Sequence, residues 1–127
     1  MKIKKLFIMP VFAILILFPN CMFLFQQTEL NPPSWIQGVW YDYSGNTRIE
    51  FTYDNVIVEI YSAETDYKYN IESARDNGET PYISETSTSN EYSFSITWDD
   101  GFADANTFEY VDSETIMWSL GGALYRY

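Results

Sequence analysis

Few residues in this chain could do chemistry, and their spacing limits what that chemistry is. The chain holds no histidine and a single cysteine, Cys21, so neither a Ser-His-Asp nor a Cys-His unit can be assembled. A serine paired with Lys68 has no supporting motif. Paired carboxylates could in principle cleave glycosides, but 18 acidic residues in a short chain bring many such pairs together by chance. One acidic stretch is denser than the rest. "DDGFADAN" sets Asp99, Asp100, Asp104 and Asn106 in one loop, and oxygen ligands of this kind suit calcium. The spacing is not that of an EF-hand and no glutamate closes the loop, so a hairpin with Asp-Gly at its turn accounts for the same residues. The inventory predicts no enzyme, no metal and no cofactor.

The N-terminal segment explains where the cysteine belongs. Lys2, Lys4 and Lys5 precede an apolar run over residues 6–18, and the run leads to Cys21. Basic end, apolar middle and processing site make a signal-peptide plan. No Ala-x-Ala follows the run. The stretch "LFPNC" resembles the lipobox of bacterial lipoproteins, which implies cleavage after residue 20 and a lipid on Cys21. The apolar character resumes with "MFLF", and residues 6–25 match the ~20 residues that span a bilayer. An uncleaved anchor is therefore the alternative. Under either reading the lysines stay inside and the domain lies outside the cytoplasm, in a bacterial cell envelope.

Charge narrows the partners further. Loss of the three leader lysines takes the net charge from −11 to −14. A domain so acidic is repelled by phosphate backbones and by anionic head groups, so nucleic acid is not expected as a partner. The expected partners are the membrane through the lipid anchor, and a small apolar ligand or an envelope protein. With Cys21 spent on lipid, no disulfide is expected, and the core alone must hold the fold.

The elements that would position any site are strands. Residues 21–34 carry Pro32 and Pro33 and read as the lipidated cysteine with a stiff tether, leaving 35–127 as one domain. "RIEFTY" alternates Ile49, Phe51 and Tyr53 with polar residues, and "EYSFSITW" does the same with Tyr92, Phe94, Ile96 and Trp98. This period of two marks half-buried antiparallel strands. "VIVEIY", "DYKYNIE", "TFEYV", "TIMWSL" and "ALYRY" continue it, with turn residues such as Ser44-Gly45-Asn46 and Asp76-Asn77-Gly78 between them. In "DYKYNIE" the alternation places Lys68 opposite Tyr67, Tyr69 and Ile71, toward solvent. "SETSTSNE" reads as a solvated edge or a mobile hairpin. No helix is predicted after the tether. The expected fold is all-β, an antiparallel up-and-down meander of eight to nine short strands forming a barrel or half-barrel, with an open sandwich as the alternative.

Gly38-Val39-Trp40, within "WIQGVW", resembles the Gly-x-Trp of the first strand in lipocalins, and more closely the small lipocalin-like domains of bacterial lipoproteins. In that family the tryptophan closes the bottom of the barrel and a basic residue from the end of the last strand packs across it. Arg126 stands at that place. The resemblance covers residues 35–127 and implies that Gly38, Trp40 and Arg126 determine the fold and do not contact a ligand. The domain is shorter than full lipocalins. Nineteen aromatic residues follow Phe25, and rings of ~150 to 250 Å² each could fill so small an interior. A binding module for a small neutral apolar or aromatic ligand, entering opposite Trp40, is one expectation. A filled barrel acting in envelope structure, or binding protein or carbohydrate through exposed tyrosines, is the other.

Overall fold

The computed structural model of the protein describes residues 27–127, so the expected leader and Cys21 lie outside the described residues. Nine strands form one antiparallel sheet: β1 Gly38–Tyr41, β2 Thr47–Phe51, β3 Val56–Ile60, β4 Ala63–Asp66, β5 Tyr82–Ser87, β6 Glu91–Thr97, β7 Ala103–Asp112, β8 Thr115–Trp118 and β9 Gly122–Arg126. Their order across the sheet is β4-β3-β2-β1-β9-β8-β7-β6-β5. Every sequence neighbour therefore pairs except β4 with β5, and the first and last strands, β1 and β9, are joined as well, where Trp40 pairs with Arg126. The result is a half-barrel meander. The sheet stays open at one seam, between β4 and β5.

A helix, α1 Tyr67–Asp76, joins the two edges of that seam. This corrects the reading of "DYKYNIE" as a strand. The buried residues are Tyr67, Ile71 and Ala74, spaced as one face of a helix, whereas Tyr69, which a strand would bury beside them, is 68 % exposed. Local chemistry favours the same outcome. Asp66 caps the helix by accepting from the Tyr69 amide at 3.0 Å, and Asn55 accepts from the amides of Val56 and Lys68. At the far end the amides of Gly78 and Glu79 bond back to the carbonyls of Arg75 and Ala74. Lys68 consequently sits in the first helical turn and forms an ion pair with Asp54. The hydrogen bond between them lowers the Asp54 pKa and raises that of Lys68.

Inward-facing rings make the core. Phe51 meets Phe108 edge-on at 4.9 Å and Tyr92 at 6.2 Å, and Tyr67 meets Phe94 at 5.2 Å. Phe108 stacks on Trp118 at 6.1 Å. Each such contact contributes about 0.5 to 1.5 kcal/mol beyond area burial. Residues 27–34 join this core and do not stand off as a tether. Leu30 is 1 % exposed. Glu85, on edge strand β5, accepts from the Gln27 side chain at 2.8 Å, the Asn31 amide at 2.7 Å and the Tyr92 hydroxyl at 2.6 Å. The packed unit thus starts before residue 35. Burial, with the Glu85 carboxylate as hydrogen-bond partner, pushes the Tyr92 phenol far above its ordinary range.

Candidate functional site

Strand direction gives the half-barrel two unlike ends. The β2–β3, β5–β6 and β7–β8 turns lie at one, with Gly38 and Arg126; the β1–β2, β3–β4, β6–β7 and β8–β9 turns lie at the other.

The first end is closed by residues from the first and last strands and the segment that leads into the first. The structure brings Gly38, Trp40 and Arg126 together. The Arg126 guanidinium carbon lies 4.2 Å from the centroid of the Trp40 ring, within the range where the ring quadrupole attracts a cation. Its nitrogens donate to the carbonyls of Gln37 at 2.8 Å, Trp35 at 3.1 Å and Ser113 at 3.2 Å. The Trp40 indole donates to the Ile36 carbonyl at 2.8 Å. Gly38 has φ +128°, and a Cβ there would lie 2.6 Å from the Arg126 Nη1. Only a residue without a side chain lets the guanidinium cross the indole at this point. The donors and acceptors of this end are turned on one another, so it offers structure and no chemistry.

The second end opens into a cup of about 650 Å³, within the ~300 to 1,000 Å³ typical of small-molecule sites. Val58, Ile60, Leu120 and Trp118 supply apolar wall, and Thr47, Thr65, Tyr67, Asp104 and Asn106 supply polar groups. Strand alternation places Asn106 on the inward row of β7 with Phe108, where it is 4 % exposed. Its carbonyl accepts from the Trp118 indole at 2.9 Å, and its amide reaches the Tyr67 hydroxyl at 3.5 Å. These two bonds tie β7, β8 and α1 together at the floor. Burial raises the Tyr67 pKa, and the nearby Asp104 carboxylate acts in the same direction. A Cβ on Gly121 would lie 2.3 Å from Trp118 Cε3, so the indole rests directly on the turn that borders the cup.

Comparison with known protein families, with curated proteins and with solved structures returns no match for this chain.

The acidic loop residues do not converge. Asp99 accepts from the Thr80 amide at 3.0 Å, Asp100 from the Phe102 amide at 2.9 Å, and Asp104 from the Trp98 indole at 2.9 Å. Among the described residues no group of three His, Cys, Asp or Glu side chains is placed to share a metal ion. Nor is any helix among them long and apolar enough to cross a membrane. Sequence reasoning missed the Tyr67–Asn106–Trp118 floor. Its signals were present in the helical spacing of Tyr67, Ile71 and Ala74, and in the alternation of Asp104, Asn106 and Phe108, which runs the β7 pattern back into the loop.

Proposed function

We propose that the protein is an exported bacterial lipoprotein, held to the membrane through Cys21, whose lipocalin-like half-barrel binds a small apolar or aromatic ligand. One observation carries the binding role: the cup opens at the end opposite the Trp40–Arg126 closure. The resemblance to lipocalin-like domains adds to it, because that family admits its ligands at the end away from the conserved tryptophan. The strands below the cup are filled with rings, so the guest occupies the mouth and does not run the length of the barrel.

A second reading draws on the turns around that mouth. Tyr43, Tyr61, Phe102 and Leu120 stand in its four strand-to-strand turns, and each is more than 60 % exposed. Exposed rings gathered at one end mark interaction sites, so an envelope protein or a carbohydrate is the alternative partner.

Titration of residues 27–127 with an environment-sensitive apolar dye, followed by tryptophan quenching, separates the two. Saturable one-to-one binding that is lost on Thr65→Trp, a bulky chain on the cup wall, supports the ligand reading. Absence of binding at micromolar dye favours the partner reading. Mass spectrometry of the membrane-extracted protein tests the anchor: a mature chain starting at Cys21 with added acyl mass is expected, and a chain retaining residues 1–20 would establish the uncleaved anchor instead.

A further inference from the structure

We infer that the guest of the cup carries a positive charge on its apolar body, as an amine or ammonium compound does, with the Asp104 carboxylate as its partner. The inference rests on the ligand reading above and replaces a neutral guest with a cationic one. Among the described residues Asp104 is the one charged residue lining the cup. It belongs to the inward row of β7, two residues before Asn106. One oxygen accepts from the Trp98 indole at 2.9 Å, and the other has no hydrogen-bond donor among the described residues.

Among the described residues no cation reaches this carboxylate. Lys68 pairs with Asp54 and Arg48 with Glu50. Arg75 donates to the Gln27 carbonyl, and Arg126 is held over Trp40 by three backbone carbonyls. None of the four lines the cup. An unpaired carboxylate in a partly enclosed wall attracts a cation more strongly than one in open water, and Val58, Ile60 and Leu120 line the same cup as apolar surface for the body of the guest. A neutral guest can at most donate a hydrogen bond and leaves the charge of the carboxylate uncompensated. An anionic guest meets repulsion from Asp104 and from Glu79, which shares with Asp104 the adjoining groove beside α1. A bare metal ion does not fit either, since no third acidic ligand stands within reach among the described residues.

The test uses the full chain in a non-ionic detergent and calorimetric titration with three probes of similar size: phenethylammonium, phenethyl alcohol and phenylpropionate. The ammonium should bind about ten- to a hundredfold more tightly than the alcohol, as a hydrogen bond to a charged group implies, and the carboxylate most weakly. Asp104→Asn should remove that preference while leaving alcohol affinity within about twofold, and Asp104→Glu should retain the preference. Equal affinity for ammonium and alcohol in the unmodified protein overturns the inference while leaving the cup a binding site. Full ammonium preference in Asp104→Asn overturns it as well. If none of the three probes binds, the ligand reading itself falls. Should Asp104→Asn fail to fold, the unmodified protein and Asp104→Glu decide: a shared ammonium preference supports the inference, and its absence from the unmodified protein overturns it.

Discussion

At the closed end a tryptophan, an arginine and a glycine satisfy one another. Arg126 covers the Trp40 ring and takes up three carbonyls, and Gly38 leaves the space in which it does so. At the open end another tryptophan, Trp118, rests directly on a glycine, Gly121, and also has its indole hydrogen bonded. There, however, no cation among the described residues covers it, and the carboxylate nearby keeps an oxygen without a donor among them. The same residue types serve closure at one end and leave recognition capacity at the other. The deciding difference is whether the polar groups are spent on the protein.

The largest effects are expected where closure is complete. Trp40→Ala deletes a fully buried ring and should cost about 3 to 5 kcal/mol in denaturant unfolding. Leu120→Ala, at a residue 69 % exposed on the open rim, should fall within about 0.5 kcal/mol. A large loss at Leu120 would erase the contrast. Next come Gly38→Ala and Arg126→Ala. The first strains the backbone and pushes a methyl at the guanidinium, and the second leaves three carbonyls without their donor, so each should cost about 1 to 3 kcal/mol. In the double variant the clash disappears, while the backbone strain and the unpaired carbonyls remain. The two losses should therefore sum to more than the double variant shows, by at least about 0.5 kcal/mol. Strict additivity would mean that Gly38 is required for its φ alone.

Alkali probes the interior that separates the two ends. Tyr92 and Tyr67 both have phenol pKa values raised by burial. Above the ordinary tyrosine value of 10.0 the unfolded chain gives up these protons while the folded protein keeps them. The unfolded state then binds fewer protons, and stability falls with rising pH by at most about 1.4 kcal/mol per unit for each phenol, Tyr92 contributing the larger share. Melting curves taken across that range should show the decline, and Tyr92→Phe should reduce its slope by about one proton. An unchanged slope would assign the decline to other groups.

The alternation of Ile49 with Phe51, and of Tyr92, Phe94 and Ile96, was legible in the sequence because a strand with one wet face must show it. The half-barrel meander followed from those rows and the turns between them. The helix was not read, because Tyr67, Tyr69 and Ile71 fit a period of two as well as Tyr67, Ile71 and Ala74 fit a helix. The cap at Asp66 and the bonds from Asn55, a residue far along the chain, settle the choice. The tether was misjudged for a related reason. Glu85 reads as part of a solvated edge until Gln27, Asn31 and Tyr92 converge on it. Asn106 carries no signal by itself, since a polar residue joins an inward row only where partners such as Trp118 and Tyr67 already await it.

The last expected effect concerns backbone strain at a single turn. Where φ is positive the closed end puts a glycine, Gly38, and the open end puts Gly45, Gly101 and Gly122. The β3–β4 turn at the open end instead holds Tyr61 at φ 49° and Ser62 at φ 69°. A two-residue hairpin turn of this kind favours Asn-Gly, because both central residues lie in the left-handed region. Side chains kept there against local preference point to a requirement outside the fold, and Tyr61, 77 % exposed, contributes little packing to justify its place. Tyr61→Asn combined with Ser62→Gly should therefore stabilise the protein by up to about 1 kcal/mol, while weakening whatever the open rim binds. Unfolding and probe titration on the same variant read both quantities. A stabilised variant with unaltered binding would remove Tyr61 from the rim's function, and a destabilised one would show that its ring packs on the domain after all.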